Sequence, residues 1–202
     1  NTKKFTTLVS SRGCPFRCSF CGIRKFAHGM WRPRSVENVI EELELLQSEG
    51  YEQFLFADDN FTLNAKRVSK LCRRIREEGM DIEWFCDSRV DHVSYDMFRE
   101  MVKVGCRCLY FGIESGNQRI LDYYNKGITP EQTERAVGKA RKAGMDIIVG
   151  SFIVGAPDET KREIINTLRF ANKLDLDVPS VNILGAHTGI DIWNDYVAKG
   201  LI

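Results

Sequence analysis

The chain has 202 residues, 43% of them hydrophobic and 28% charged, with a formal net charge of +1. Those values suit one globular domain with a core, and the even mixing of Lys and Arg with Asp and Glu argues against a nucleic-acid footprint. No apolar run approaches the ~18 residues of a membrane span, and no secretory leader is recognisable. Seven cysteines without disulfide-framework spacing point to a reducing, cytoplasmic compartment. Because the first residue is Asn1, residues 1–202 are expected to be a single core domain from a longer chain, with N- and C-terminal regions missing.

A strand is predicted over residues 6–10, followed by a loop holding Cys14, Cys18 and Cys21 and a basic stretch over 24–34. Ser35 is a good N-cap for a helix whose apolar face is Val36, Val39, Ile40, Leu43 and Leu46, stopped by Gly50. The second strand is predicted over 53–57 and ends in Asp58-Asp59-Asn60. A helix from Asn64 carries Val68, Leu71, Cys72 and Ile75, and Gly79 closes it. Strand three, over 82–86, ends in Asp87-Ser88-Arg89-Val90-Asp91, and Ser94 caps a helix bearing Met97, Phe98, Met101 and Val102 up to Gly105. Strand four, over 108–113, leads to Glu114-Ser115-Gly116. Thr129-Pro130-Glu131-Gln132 has the form of a capping box with Pro at the first helical position. Strand five, over 146–154, is apolar enough to be expected buried on both faces. A helix with Ile164, Ile165, Leu168, Ala171 and Leu174 follows, then strand six over 180–184 and a last short helix with Ile192, Trp193, Tyr196 and Val197.

Six strand–helix units in order imply a parallel sheet covered by outer helices. A complete eight-unit barrel needs about 250 residues, so the expected α/β fold is a partial, laterally open (βα)6 TIM-like barrel. An open doubly wound sheet is the alternative that alternation alone leaves standing. Either fold gathers its active site at the carboxyl ends of the strands. There lie the three cysteines, Asp58, Asp59 and Asn60, then Asp87, Arg89 and Asp91, then Glu114 and Ser115, then Glu159, and finally His187 and Thr188. Convergence of metal-binding and titratable groups on one mouth argues for an enzyme.

Cys14, Cys18 and Cys21 are spaced Cys-x3-Cys-x2-Cys. Four cysteines usually close an iron–sulfur cluster, so three leave one iron open to a substrate or cofactor. Cys14, Cys18, Cys21 and His28 could instead form a Cys3His zinc site, which would make the chain a non-catalytic binding module. The cysteines could also be free thiols. Cys72, Cys86, Cys106 and Cys108 read as buried free cysteines rather than a second cluster.

With Phe20 between the second and third cysteines, the motif resembles the signature of the radical S-adenosylmethionine (SAM) enzymes. The resemblance implies a 4Fe–4S cluster held by Cys14, Cys18 and Cys21, whose open iron chelates the amino and carboxylate groups of SAM. Reductive cleavage would then give methionine and a 5′-deoxyadenosyl radical that abstracts hydrogen from an unactivated carbon. The same resemblance extends along the chain from residue 6 to residue 202. Phe56-x-Asp58-Asp59-x-Phe61 departs from the frequent Gly-Gly-Glu form and looks like the subfamily with an upstream cobalamin-binding domain. That likeness implies cobalamin bound outside this chain. Cobalamin-dependent C-methylation, or other carbon-skeleton modification of a lipid, tetrapyrrole or natural product, would be the outcome. Asp58 or Asp59, the latter favoured, is expected on the SAM amino group, where a carboxylate suits an ammonium; a helix cap is the bland reading. Arg89 could fork onto the SAM carboxylate or pair with Asp87 or Asp91. Gly112-Ile113-Glu114-Ser115 resembles the strand-four motif that contacts SAM. The run from Phe152 to Thr160 resembles the strand-five motif, where Ile153 and Val154 would flank adenine with Phe20. Expected partners are a small-molecule or lipid-like substrate and an electron donor such as ferredoxin or flavodoxin. A SAM-dependent methyltransferase using no radical is a third reading, and it would not need the three cysteines.

Overall fold

The structure, a computed structural model, describes residues 3–202. Six parallel strands form one sheet: β1 (Lys4–Leu8), β4 (Tyr51–Phe56), β5 (Glu83–Ser88), β6 (Cys106–Glu114), β7 (Ile147–Val154) and β8 (Val178–Ile183). A separate antiparallel pair, β2 (Ser11–Arg12) and β3 (Arg32–Pro33), brackets the cysteine loop. The helices are α1 (Ile23–Ala27), α2 (Val36–Ser48), α3 (Ala65–Glu77), α4 (Tyr95–Lys103), α5 (Gln118–Tyr123), α6 (Pro130–Lys142), α7 (Lys161–Lys173) and α8 (Trp193–Ala198). No helix is long and apolar enough to cross a membrane among the described residues.

The spatial order β1-β4-β5-β6-β7-β8 follows the chain without reversal. A doubly wound sheet reverses direction at a switch point; here each new strand joins the same growing edge, as in a barrel. The fold is therefore a partial, laterally open (βα)6 barrel. Side chains alternate along each strand. Phe54, Phe56, Trp84, Leu109, Phe111, Ile113, Ile148 and Phe152 point to the helices and are essentially inaccessible, meeting the apolar stripes of α2, α3, α4 and α6.

The other face lines the concave side, which stays open. Strand β7 shows this as a correction to the sequence expectation. It alternates between buried Ile148, Gly150 and Phe152 and more exposed neighbours, with Ile147 42% exposed. Among the described residues no closed barrel interior fills that side. β8, an edge strand, exposes five of its six residues.

The helix starts follow the predicted chemistry. Ser35, Asn64 and Ser94 each accept a backbone N–H at the third helical position. Thr129 and Gln132 form the reciprocal capping box, and Thr160 with Glu163 forms a second. Gly105 permits the turn from α4 into β6. Its φ is +88°, and an added Cβ would stand 1.8 Å from the Ile82 carbonyl oxygen.

Candidate active site

The loop from Gly13 to Gly22 is clamped from several sides. At Gly13 (φ +87°) a Cβ would lie 2.0 Å from the Met30 carbonyl oxygen, so only glycine lets the loop pass the end of α1. Ser19 N–H donates to the Tyr124 carbonyl at 2.9 Å, Ser19 Oγ to the Tyr123 carbonyl at 3.0 Å, and Asn125 Nδ2 to the Arg17 carbonyl at 2.8 Å. Cys21 N–H closes a turn onto the Cys18 carbonyl at 3.1 Å. So held, Cys14, Cys18 and Cys21 all line one cavity of about 280 Å³, together with Phe20 and residues from the tips of β4, β5, β6 and β7. Burial pushes the Cys14 and Cys21 thiols up.

His28 does not join them. It is exposed, in the left-handed region (φ 53°) at the end of α1, and does not line the cavity. Among the described residues, no three His, Cys, Asp or Glu side chains converge tightly enough to hold a single metal ion. A tetrahedral zinc needs such convergence. Three thiols around the rim of one cavity fit a multi-iron body held at three corners.

The acidic pair at the tip of β4 divides its work. Asp58 is 1% exposed, and its oxygens accept Ser10 N–H, Ser10 Oγ–H and Ser11 Oγ–H, each at 2.6 Å. This carboxylate ties β1 to β4 and lies outside the cavity. Asp59 lines the cavity and accepts the Gly13 N–H at 2.6 Å.

Arg89 is buried at the cavity wall. Its Nε and Nη2 fork onto Asp91, both at 2.9 Å, and Nη2 also reaches the Lys126 carbonyl at 2.6 Å. The guanidinium carbon is 3.8 Å from the Phe16 ring centroid, and Nη1 faces Cys18 Sγ at 3.6 Å. The fork expected for a carboxylate ligand is thus taken by Asp91. What remains toward the cavity is one N–H and a positive charge beside a cysteine.

Glu114 has φ +68° just after the β6–β7 register shift, a conformation that costs a non-glycine residue of order 1–3 kcal/mol. Its Oε1 accepts Lys126 Nζ at 2.7 Å, both side chains being at most 7% exposed. Lys126 Nζ lies 5.8 Å from the Phe20 ring centroid, and Phe20 meets Tyr124 edge-on at 5.2 Å.

Several expected residues do not line the cavity. Asp58 is one. Ser115 is fully buried and bonds Thr167 Oγ1 at 2.9 Å, fixing α7 against β6. Val154 has the opposite alternation to Ile153, which does line the cavity with Ser151. Glu159 folds onto its own loop, accepting Gly155 N–H at 2.6 Å and Ala156 N–H at 3.1 Å. His187 and Thr188 are exposed and outside the cavity. Cys72, Cys86 and Cys106 are buried in the core, and burial raises the Cys72 and Cys86 thiols.

The structure adds Lys126, Tyr110 and Ser151, and gives Asp87 a place of its own. Tyr110 and Ser151 follow from counting back in twos along β6 and β7 from residues already suspected. Lys126 sits in a loop turn and carries no periodic signal. Asp87 opens into the cavity, where surrounding protein first, and Asp58 and Asp59 next, push its carboxyl up to about 6.

The family model of the Radical SAM superfamily matches residues 8–171. This chain belongs to the radical SAM superfamily. Over 199 residues it is 44% identical to a protein named as an uncharacterized methyltransferase, PH0819, of Pyrococcus horikoshii, covering 98% of this chain and 43% of that one. Over 167 residues it is 34% identical to the anaerobic magnesium-protoporphyrin IX monomethyl ester cyclase of Cereibacter sphaeroides, covering 80% of this chain and 27% of that one. The chain thus spans less than half the length of these relatives. Its fold matches that of the radical SAM methyltransferase TsrM from Kitasatospora setae, solved with cobalamin and a [4Fe-4S] cluster. The TM-score is 0.88 at 20% identity, over 98% of this chain and 37% of that one.

Proposed function

We propose that this chain is the catalytic core of a radical SAM enzyme, with Cys14, Cys18 and Cys21 as the cluster ligands. The observation that carries the reading is that all three cysteines line one cavity together with charged residues from the tips of β4, β5 and β6. A bound 4Fe–4S cluster supplies the electron transfer that cleaves SAM and starts hydrogen abstraction from substrate; the protein binds, orients and excludes water.

The residues divide by charge. Asp59 offers a carboxylate to an ammonium, and Lys126, beside Glu114, offers an ammonium to a carboxylate. Phe20 and Ile153 give apolar walls for a flat heteroaromatic ring. Arg89 keeps positive charge beside Cys18, with Nη1 3.6 Å from its Sγ.

The names of PH0819 and TsrM favour methylation as the outcome, with cobalamin supplied by another part of a longer protein. The cyclase relative keeps carbon-skeleton modification of a tetrapyrrole as the second reading. A small-molecule or lipid-like substrate, a low-potential electron donor such as ferredoxin or flavodoxin, and a reducing cytoplasmic compartment complete the proposal.

Anaerobic reconstitution tests it. The protein should turn brown, bind about four irons per chain, and release 5′-deoxyadenosine from SAM under dithionite. Cys18→Ala should lose iron and product together. One zinc per chain and no 5′-deoxyadenosine would reject the reading. Activity that survives Cys18→Ala would point to methyl transfer without radicals.

A further inference from the structure

Arg12 and Arg32 stand directly opposite each other across the β2–β3 pair, and both are exposed. Like charges in that relation destabilise a strand pair. Two nearby basic residues have carboxylate partners: Arg34 pairs with Glu42 and Lys25 with Asp191. Among the described residues, Arg12 and Arg32 pair with no carboxylate. Together with Phe26 they line a surface cleft of about 290 Å³. Asp59 is the single carboxylate in its wall, and the Gly13 N–H already occupies its Oδ2.

The cleft lies against the back of the cysteine loop. Ile23 and Asp59 line both it and the active-site cavity, so a wall one residue thick separates them. Phe26 is 84% exposed, and its ring packs on Gly22, where an added Cβ would come within 3.3 Å. Gly22 follows Cys21 directly.

We propose that this cleft is the docking surface for an acidic one-electron carrier protein that reduces the cluster, an inference that rests on the proposed function above. The carrier is oxidised by one electron and the cluster reduced by one; no bond forms or breaks. Two uncompensated guanidinium groups attract an acidic face and speed encounter. Phe26 supplies the exposed aromatic anchor typical of an interface centre. Net charge is only +1, so the attraction is local to this patch and selects an orientation with the carrier's redox group toward the cysteine loop.

The test uses the full-length protein and a purified bacterial flavodoxin as probe. Variants are Arg12→Glu with Arg32→Glu, the milder Arg12→Gln with Arg32→Gln, and Phe26→Ala, each checked for an unchanged thermal midpoint. Flavodoxin affinity, the rate of cluster reduction by reduced flavodoxin, and 5′-deoxyadenosine yield under dithionite are measured at low and high salt. Charge reversal should weaken binding and slow reduction about tenfold or more at low salt, remove the salt dependence, and leave the dithionite yield intact. Unchanged affinity and reduction rate in both arginine variants would overturn the proposal. So would a dithionite yield that falls in step, since the residues would then act on the site itself. If wild-type protein yields no 5′-deoxyadenosine under dithionite, the functional reading fails, while flavodoxin affinity still scores the surface.

Discussion

Asp58→Ala removes the acceptor of three buried donors in one step. Ser10 N–H, Ser10 Oγ–H and Ser11 Oγ–H all end on this carboxylate at 2.6 Å. Hydrogen bonds to a charged group contribute about 1.5–3 kcal/mol each, and a stranded buried donor costs about 1–3 kcal/mol. The terms do not simply add, because the hydroxyls can rotate to other acceptors. The Ser10 N–H cannot turn away. Arg67, whose guanidinium bonds Ser10 Oγ at 3.2 Å and the Ser10 carbonyl at 2.9 Å, also loses its neighbouring negative charge. The net expectation is a loss of about 3–5 kcal/mol. At about 2–4 °C per kcal/mol for a chain of this size, the thermal midpoint should fall by about 6–20 °C. Asp58→Asn keeps one carbonyl oxygen and should cost about half as much. Circular-dichroism melts and urea midpoints of the metal-free protein measure both, beside Asp59→Ala, which loses a single bond to Gly13. A stable Asp58→Ala protein, down by less than about 1 kcal/mol and defective in SAM binding, would refute the structural role and return this carboxylate to the cofactor.

Lys126→Met strands the buried Glu114 carboxylate and should cost about 3–5 kcal/mol, with much of that loss recovered in the Glu114→Gln, Lys126→Met double variant; additive losses in urea unfolding would contradict it. Asp87 holds its proton more tightly folded than unfolded, so its contribution to stability is full below about pH 4 and is lost as pH rises through about 6. Asp87→Asn should flatten that fall in thermal midpoint, and carbon-detected NMR of the carboxyl should titrate near 6; a midpoint near 4 would contradict it. Gly13→Ala forces a Cβ onto the Met30 carbonyl oxygen at a positive φ, so it should lower the melting midpoint and the iron content after reconstitution together; full iron loading would show that the loop can shift.

The parts of the fold that were legible in the sequence are those set by periodicity and capping. The stripe Val68, Leu71, Cys72, Ile75 predicts α3, and the Thr129–Gln132 box predicts α6, because both signals are local. The elements that went unread are short and held by tertiary contacts. Strands β2 and β3 are two residues each, and the five-residue α1 has no side-chain cap. The site divides along the same line. The cysteine spacing is a local pattern and reads directly. Whether Asp58 or Asp59 faces the cavity depends on Ser10 and Ser11, 47 or more residues earlier in the chain. The partner of Arg89 was one of two equivalent aspartates until geometry chose Asp91 over Asp87. Lys126 approaches Glu114 from a turn whose sequence carries no apolar rhythm, so only the folded chain brings the two charges together.

Strand β8 has a consequence for handling the isolated chain. Among the described residues its outer edge has no neighbour in the six-stranded sheet, and Ile183, 84% exposed, lies two residues from the 42%-exposed Val181. Unprotected backbone donors and acceptors next to bare aliphatic groups template the addition of another strand. Concentrated samples of residues 1–202 alone should therefore self-associate along this rim, and a lysine at position 183 would serve as the gatekeeper that keeps copies apart.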